Sequence, residues 1–271
     1  MKQILFPLIL GLLFTTSQTT AKLEKDLVVY FTFDNVKDKK ILDASGNDLD
    51  AEIVANVDFV EGKYGDAIHI AAEPEGGDCV HIPADDLLKI EGEITMMAWL
   101  YHEDWDAAWG VWVDKGRYVP GKWNGSYSLG FFGSFLEFGV EGPKIRMTLG
   151  AGDKTWGFNG TGPMVDRNWH HIVGTYDGKT AKMYLDGKVF YSHDEKFEFV
   201  GINDVDLCIG CAAGNPRYIF KDGSIDEFGI WRRVLTAAEI AEAMKGFLAV
   251  SPKDKVATTW GDIKHKATIY K

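Results

Sequence analysis

The 271-residue sequence predicts an all-β protein, an antiparallel two-sheet sandwich with one short helix near its C-terminus. Short segments rich in Val, Ile, Tyr, Phe and Trp recur along the chain, and turn-forming residues separate them. The 30 glycines and nine tryptophans suit many strands joined by tight turns. Asp-Gly pairs at 177–178 and 186–187 each lie between apolar runs, which predicts two consecutive β-hairpins.

The strand-like segments follow one another through most of the chain. In order they are 26–33, 67–71, 78–82, 94–101, 110–115, 126–132, 135–140, 144–149, 170–176, 181–185, 188–192, 206–210 and 223–231. A helix is predicted over 236–245, because Thr236 is a good N-cap and Glu239 completes a capping box. Gly246 is the expected C-cap.

The N-terminus has the three parts of a signal peptide. Lys2 gives a positive start, 4–14 form a short apolar core, and 15–21 are small and polar. The apolar core is shorter than the roughly 20 residues that span a bilayer. We therefore predict a signal peptide at 1–21, one domain at 22–248, and a poorly ordered tail at 249–271. The protein is expected to be secreted, outside the cytoplasm.

The charge of the chain limits its partners. It has 29 Lys and Arg against 40 Asp and Glu, a net charge of −11. This balance argues against nucleic acid or an anionic membrane surface as the main partner. It is compatible with a cation site or with a neutral ligand such as a glycan.

The three cysteines are Cys79, Cys208 and Cys211. Export permits a disulfide, and the odd count leaves one thiol over. Zinc is not expected at the Cys-x-x-Cys pair, since no second pair of ligands exists and an extended run places its two sulfurs on opposite faces. Cys79 should pair with one of the other two. Cys79–Cys208 is preferred, because both lie opposite their aliphatic neighbours.

Seven segments resemble, in order, those of the laminin G-like jelly-roll family within the concanavalin A-like superfamily. The clearest is 168–178, NWHHIVGTYDG; the others are 29–34, 43–47, 64–68, 94–100, 183–188 and 223–231. The resemblance implies a jelly roll of about 12 to 14 strands. It also implies a carbohydrate-binding, adhesive or accessory module of an exported protein.

The resemblance further implies a structural calcium ion between the first strand, the turn that follows it and the last strand. The matching residues are Asp34, Asn47 and Asp226. Calcium prefers carboxylate and carbonyl oxygens as ligands. The alternative is that Asn47 merely shapes a turn and Asp226 accepts hydrogen bonds from backbone amides.

Exposed aromatic rings stack on the apolar faces of sugars, and clusters of them mark interaction sites. The predicted ligand-binding residues lie in or beside loop-like stretches: Trp105, Trp109, Trp123 and Trp156. The alternative is a place in the core, which is expected for Trp99, Trp169 and Trp231 at framework positions of the family.

Catalysis is not expected. Glycoside hydrolases of this superfamily carry acids on one strand face, and retention needs two carboxylates about 5 to 5.5 Å apart. Glu137 and Glu141 share a face, but Gly139 replaces the acid between them. We therefore predict a secreted, non-catalytic module that binds carbohydrate or an extracellular protein. A glycoside hydrolase of the same fold and a purely structural or adhesive surface protein are the alternatives.

Overall fold

A computed structural model describes residues 22–54, 57–71, 79–105, 109–116, 118–119, 122–123, 127–132, 144–151, 154–161, 167–212 and 215–246. The predicted signal peptide and C-terminal tail lie outside these residues. Within the described ranges, no helix is both long and apolar enough to cross a bilayer.

The strands are short and numerous, as the turn-rich sequence predicts. In chain order they are β1 (Leu27–Phe31), β2 (Val36–Lys37), β3 (Lys40–Ile41), β4 (Ala51–Ile53), β5 (Val57–Glu61), β6 (Asp66–Ile70), β7 (Val80–Ile82), β8 (Ile90–Glu91), β9 (Ile94–His102), β10 (Trp109–Asp114), β11 (Tyr118–Val119), β12 (Lys122–Trp123), β13 (Tyr127–Phe132), β14 (Lys144–Ala151), β15 (Lys154–Thr161), β16 (His170–Tyr176), β17 (Thr180–Leu185), β18 (Lys188–Asp194), β19 (Val200–Gly201), β20 (Leu207–Ile209), β21 (Cys211–Ala212), β22 (Asn215–Ile219) and β23 (Gly223–Trp231).

Two large sheets pack face to face, which confirms the predicted concanavalin A-like jelly roll. The first sheet has the order β18-β17-β16-β9-β23-β6-β5, and β1 also pairs with β23. The second has the order β2-β3-β4-β7-β20-β10-β13-β14-β19-β8, with β15 beside β14 and β22 between β10 and β21. Both sheets are antiparallel apart from two single-residue parallel contacts, β10 with β22 and β14 with β19.

The core follows the two-residue period of the strands. On β9, Ile94, Met96 and Ala98 enter the main cluster between the sheets. Met97 faces the other way and joins a second cluster with Ile240 of the C-terminal helix. This alternation places the helix on the outer face of the first sheet.

Local sequence signals set the predicted helix and hairpins. Helix α1 spans Ala237–Ala243, and its capping box is present: the Thr236 hydroxyl accepts a hydrogen bond from the Glu239 amide, and the Glu239 carboxylate accepts one from the Thr236 amide. Asp186 and Gly187 have φ values of 48° and 77° at the β17–β18 turn, the backbone that a two-residue hairpin loop requires.

Candidate functional site

Two adjacent acids, Asp226 and Glu227, are fully buried in the middle of β23. The pairing of β23 with β9 shifts register between Asp226 and Gly229, and Glu227 has a φ of 50°. A regular strand would point neighbouring side chains to opposite faces. The bulge instead lets β23 bury both carboxyl groups.

Asp226 is held by backbone amides. Its Oδ2 accepts a hydrogen bond from the Tyr64 amide at 2.9 Å, and its Oδ1 accepts one from the Glu227 amide at 2.7 Å. Burial raises the pKa of Asp226 to about 7, although these amide hydrogen bonds act in the opposite direction. A Cβ at Gly62 would lie 2.7 Å from Oδ2, so the glycine lets the backbone approach this carboxylate.

Glu227 has one oxygen without a partner. Its Oε2 accepts a short hydrogen bond from the Tyr30 hydroxyl. Its buried Oε1 has no hydrogen-bond partner among the residues that the structure describes. Burial, together with the neighbouring charges of Asp226 and Asp34, raises the pKa of Glu227 to about 8, although the hydrogen bond from Tyr30 acts in the opposite direction. An unsatisfied buried carboxyl oxygen is costly unless a proton or a cation accompanies it.

Asp34 approaches the same place from the end of β1. Its Oδ1 accepts a hydrogen bond from the Asp66 amide at 2.9 Å. A Cβ at Gly65, where φ is +75°, would lie only 1.9 Å from that oxygen. Asp34 and Asp226 therefore hold the 62–66 turn from two sides, and the charge of Asp34 contributes to the raised pKa of Asp226.

Asn47 does not join these acids, which corrects the predicted ligand set. Its Nδ2 donates hydrogen bonds to the carbonyls of Leu27 and Val28, at the start of β1. Asp34 follows the other end of that strand, and Val28 to Phe31 alone extends about 10 Å. One calcium ion with ligands at about 2.3–2.6 Å cannot bridge this distance. Asn47 shapes the turn because its amide group donates hydrogen bonds to backbone carbonyls at the start of β1.

The charges of these three acids act on one another. Asp34, Asp226 and Glu227 offer carboxylate oxygens, the ligands that calcium prefers. Asp226 and Glu227 are buried, and their pKa values are raised. Carboxylates that repel each other at close range are stabilised when they bind a proton or a cation. The sequence reasoning missed Glu227, because the bulge that buries it leaves no mark on the strand pattern.

Trp105 is 3% exposed, which contradicts its predicted role in contacting a ligand. Its ring packs against Phe131 and His102, with centroid distances of 5.0 and 5.6 Å. The chain folds back onto the core directly after β9, because the large apolar ring gains more from burial than from water contact. The side chains of Trp109 and Trp123 lie outside the described residues, as do Glu137 and Glu141.

Trp156 is half-buried and lies on β15, which packs beside β18, an edge strand of the first sheet. Its ring stacks on Phe197 at 4.1 Å with an interplanar angle of 10°. The ring of Phe158, on the same strand as Trp156, lies 5.9 Å from that of His193 of β18, which stacks on Tyr191 at 6.4 Å. A Cβ at Gly160 would lie 2.9 Å from the Cβ of Tyr191, so β15 and β18 meet closely. We call Trp156, Tyr191, His193 and Phe197 the aromatic edge.

The disulfide joins Cys79 to Cys211, and Cys208 is the free, buried cysteine. The predicted partner Cys208 is therefore wrong. Gly210, with a φ of +85°, interrupts the extended run between β20 and β21. The two-residue alternation stops at this glycine, so the prediction that the two sulfurs of the pair lie on opposite faces also fails.

Comparisons with solved structures support the fold. The binding domain of Paraclostridial Mosquitocidal Protein 1 is 15% identical, with a TM-score of 0.60 over 81% of this chain and 52% of that one. Domain 4 of AbnA, an extracellular arabinanase from Geobacillus stearothermophilus solved with arabinotriose, is 16% identical, with a TM-score of 0.58 over 83% and 98%. A structure of botulinum neurotoxin type C, whose cell entry depends on interaction with two ganglioside molecules, is 13% identical, with a TM-score of 0.63 over 84% and 52%.

The chain thus spans about half the length of the two toxin structures and nearly all of the arabinanase domain. The sequences of curated proteins give no match. The family model described as the concanavalin A-like lectin/glucanases superfamily matches residues 74–241, more than half of the chain. The protein belongs to the concanavalin A-like lectin/glucanases superfamily.

Proposed function

We propose that the protein is a secreted, non-catalytic binding module that recognises carbohydrate at its aromatic edge. The observation that carries this proposal is the half-buried Trp156, whose ring is held flat against Phe197. A ring fixed in this way keeps its orientation without a ligand, so less entropy is lost when a sugar stacks on it. The carbohydrate in the arabinanase domain and the gangliosides of the neurotoxin support the same class of ligand.

Polar groups beside the rings can orient a sugar. The side chain of His193 is 51% exposed, and its Nε2 lies 3.8 Å from a Glu195 carboxylate oxygen. Binding sites generally combine an apolar surface with a few polar groups that fix the orientation of the ligand. Sugar hydroxyls can both donate and accept hydrogen bonds, which suits an imidazole next to a carboxylate.

Secretion is part of the proposal. It rests on the signal-peptide pattern at 1–21 and on the Cys79–Cys211 disulfide, since disulfides persist mainly in oxidising compartments. A glycan of the cell surface or extracellular matrix is therefore the expected ligand class. An extracellular protein partner is the competing one.

The binding experiment compares two half-buried tryptophans. Arabinotriose and a panel of neutral and sialylated oligosaccharides are titrated against the full chain by calorimetry. Trp156→Ala should weaken binding at least about fivefold, because stacking on an aromatic ring contributes about 1 kcal/mol or more. Trp169→Ala is the matched control, since that ring packs on Tyr101, outside the aromatic edge.

Two results would contradict the carbohydrate proposal. If no oligosaccharide binds, a protein ligand or a purely adhesive role becomes the better explanation. If Trp156→Ala and Trp169→Ala weaken binding equally, the ligand does not use the aromatic edge.

We also propose a structural calcium ion held by Asp34, Asp226 and Glu227. A ligand that binds only the folded state raises its stability, by about 2.7 kcal/mol at one hundred times the dissociation constant. Thermal melting in chelator and then in calcium should therefore show a rise in the midpoint. Asp34→Ala should abolish the rise, and Asn47→Ala should retain it. An unchanged midpoint in the unaltered protein would remove calcium from the proposal.

A further inference from the structure

Four potential metal ligands meet where β7, β20 and β21 come together. They are Cys79, His81, Cys208 and Cys211, and one ligand atom from each lies within 4.8 Å of the others. The three cysteines are at most 5% exposed. The His81 side chain is 30% exposed and gives the cluster its contact with solvent. We call these four residues the sulfur cluster.

Strand register and one glycine build the sulfur cluster. His81 of β7 faces Cys208 of β20 as a direct pair. Gly210 then turns the chain at a φ of +85°, which brings Cys211 to Cys79. A Cβ at Gly210 would lie 2.9 Å from the side chain of Ile70, so the chain passes close to the packed core at this point.

We propose that reduction of the Cys79–Cys211 disulfide turns the sulfur cluster into a zinc site with three thiolates and one imidazole. A dithiol reductant supplies two electrons and two protons: the disulfide becomes two thiols, and the dithiol becomes a disulfide. One Zn²⁺ then binds the three sulfurs and His81, and three thiol protons are released to solvent. Tetrahedral sites with this ligand set are an established class of structural zinc site.

The dimensions of the sulfur cluster suit zinc. With Zn–S distances of about 2.3 Å, neighbouring ligands of a tetrahedron lie about 3.8 Å apart. The four ligand atoms already lie within 4.8 Å of one another. After reduction, the main change needed is a separation of the two sulfurs that the disulfide had joined. Soft thiolate and imidazole ligands favour zinc over calcium or magnesium.

An outer carboxylate supports His81 as a ligand. The Nε2 of His81 lies 3.1 Å from the Cys79 sulfur, and its Nδ1 lies 3.6 Å from Oδ2 of Asp206. The other oxygen of Asp206 accepts a hydrogen bond from the Ala84 amide at 3.0 Å, which fixes the carboxylate. A metal-bound imidazole commonly has its second nitrogen directed at a carboxylate in this way.

The oxidised cluster is not a zinc site. Two of its sulfurs are bonded to each other, which leaves the Cys208 thiol and the His81 imidazole as the remaining ligands. A structural zinc site needs four ligands, so two are too few. Metal binding and the disulfide exclude each other, so the redox state decides whether zinc is held.

The test uses the full chain, reduced with a phosphine that does not compete for metal, and titrated with Co²⁺. We expect one Co²⁺ per chain, with the intense visible bands and sulfur charge-transfer absorption of a tetrahedral thiolate site. Zn²⁺ should displace it. The oxidised chain should show none of these bands.

Variants separate the sulfur cluster from unspecific binding. Cys208→Ser and His81→Gln should lose the tetrahedral spectrum. Asp206→Asn should keep the spectrum but weaken binding about 10- to 100-fold, as expected for a partner behind a ligand. His193→Gln, which removes a histidine of the aromatic edge, should bind as the unaltered chain does.

Several outcomes would overturn the proposal. They are absence of Co²⁺ binding to the reduced chain, an octahedral spectrum, and unchanged binding by both Cys208→Ser and His81→Gln. If reduction unfolds the chain, circular dichroism measures whether Zn²⁺ refolds it. Zn²⁺ should then restore the β-sheet signal of the unaltered chain but not that of His81→Gln, and a failure to restore it also counts against the site.

Discussion

Two strand interruptions, one at Asp226–Glu227 in β23 and one at Gly210 between β20 and β21, each build a cluster of potential ligand groups. Each places the backbone at a positive φ, 50° at Glu227 and 85° at Gly210. The first cluster presents carboxylate oxygens, and the second presents sulfur and imidazole nitrogen. The same backbone device therefore serves opposite ligand chemistries, one hard and one soft.

The two clusters differ in what neutralises their ligand groups. The carboxyl groups of Asp226 and Glu227 repel each other when ionised, and neither can form a bond that removes the other's charge. The sulfur cluster can form the Cys79–Cys211 disulfide and so needs no ion when oxidised. The acidic cluster thus depends on protons or cations from outside, whereas the sulfur cluster depends on redox state.

The largest effect should come from removing the acid that holds the 62–66 turn. Asp226→Ala leaves the amides of Tyr64 and Glu227 without their acceptor. Hydrogen bonds to charged groups contribute about 1.5–3 kcal/mol, so we expect unfolding free energy to fall by about 3 kcal/mol. Urea denaturation measures it. A loss below about 1 kcal/mol would mean that water replaces the carboxylate, and the bulge would not be a buried site.

A smaller effect is expected at the other interruption. Gly210→Ala and Gly178→Ala both place alanine at a φ of +85°, but only the new methyl group at 210 meets the core, 2.9 Å from Ile70. The conformational cost is about 1–2 kcal/mol at each position. We expect Gly210→Ala to lose about 1 kcal/mol more than Gly178→Ala in urea denaturation. Equal losses would show that the core near Ile70 accommodates the new methyl group at no measurable free-energy cost.

A pH dependence of stability near neutral pH should distinguish the acidic cluster from the sulfur cluster. The pKa values of Asp226 and Glu227, about 7 and about 8, lie above their unfolded values, so the folded state binds more protons. In chelator, their contribution is complete below about pH 4 and is lost as the pH rises through 7 and 8. Each group changes the unfolding free energy by at most about 1.4 kcal/mol per pH unit.

Glu227→Gln provides the comparison for that pH profile. Burial lowers the pKa of His171 to about 3, so this group also changes stability with pH, in acid. The difference between the unaltered chain and Glu227→Gln cancels its contribution. Thermal midpoints between pH 5 and pH 8 should fall less steeply in the variant. Parallel profiles would contradict the raised pKa of Glu227.

Local and repeated signals made the fold predictable from the sequence. The Asp-Gly turn at 186–187 and the capping box of Thr236 depend on residues near in sequence, so their structural consequences could be read directly. The site was less predictable. The register of β1 decides that Asn47 and Asp34 lie at opposite ends of a strand, and long-range packing decides that Trp105 is buried.

The sulfur cluster shows the same limit most clearly. The alternation of side chains in a strand predicts opposite faces for Cys208 and Cys211, and that inference holds only while the strand continues. Gly210 was the signal that it does not, since glycine inside a strand often marks a bulge or a close backbone approach. His81, two residues after Cys79, was the other available clue.

The place of β23 has a consequence for the synthesis of the protein. It is the last strand among the residues that the structure describes, yet it lies between β9 and β6 and is the pairing partner of β1. Leu27 pairs with Trp231, so β1 has no partner strand until the ribosome has synthesised β23. Pairings that are this distant in sequence form slowly. The nascent chain should be unable to complete the first sheet before β23 is synthesised, and truncation before residue 223 should leave open sheet edges that aggregate.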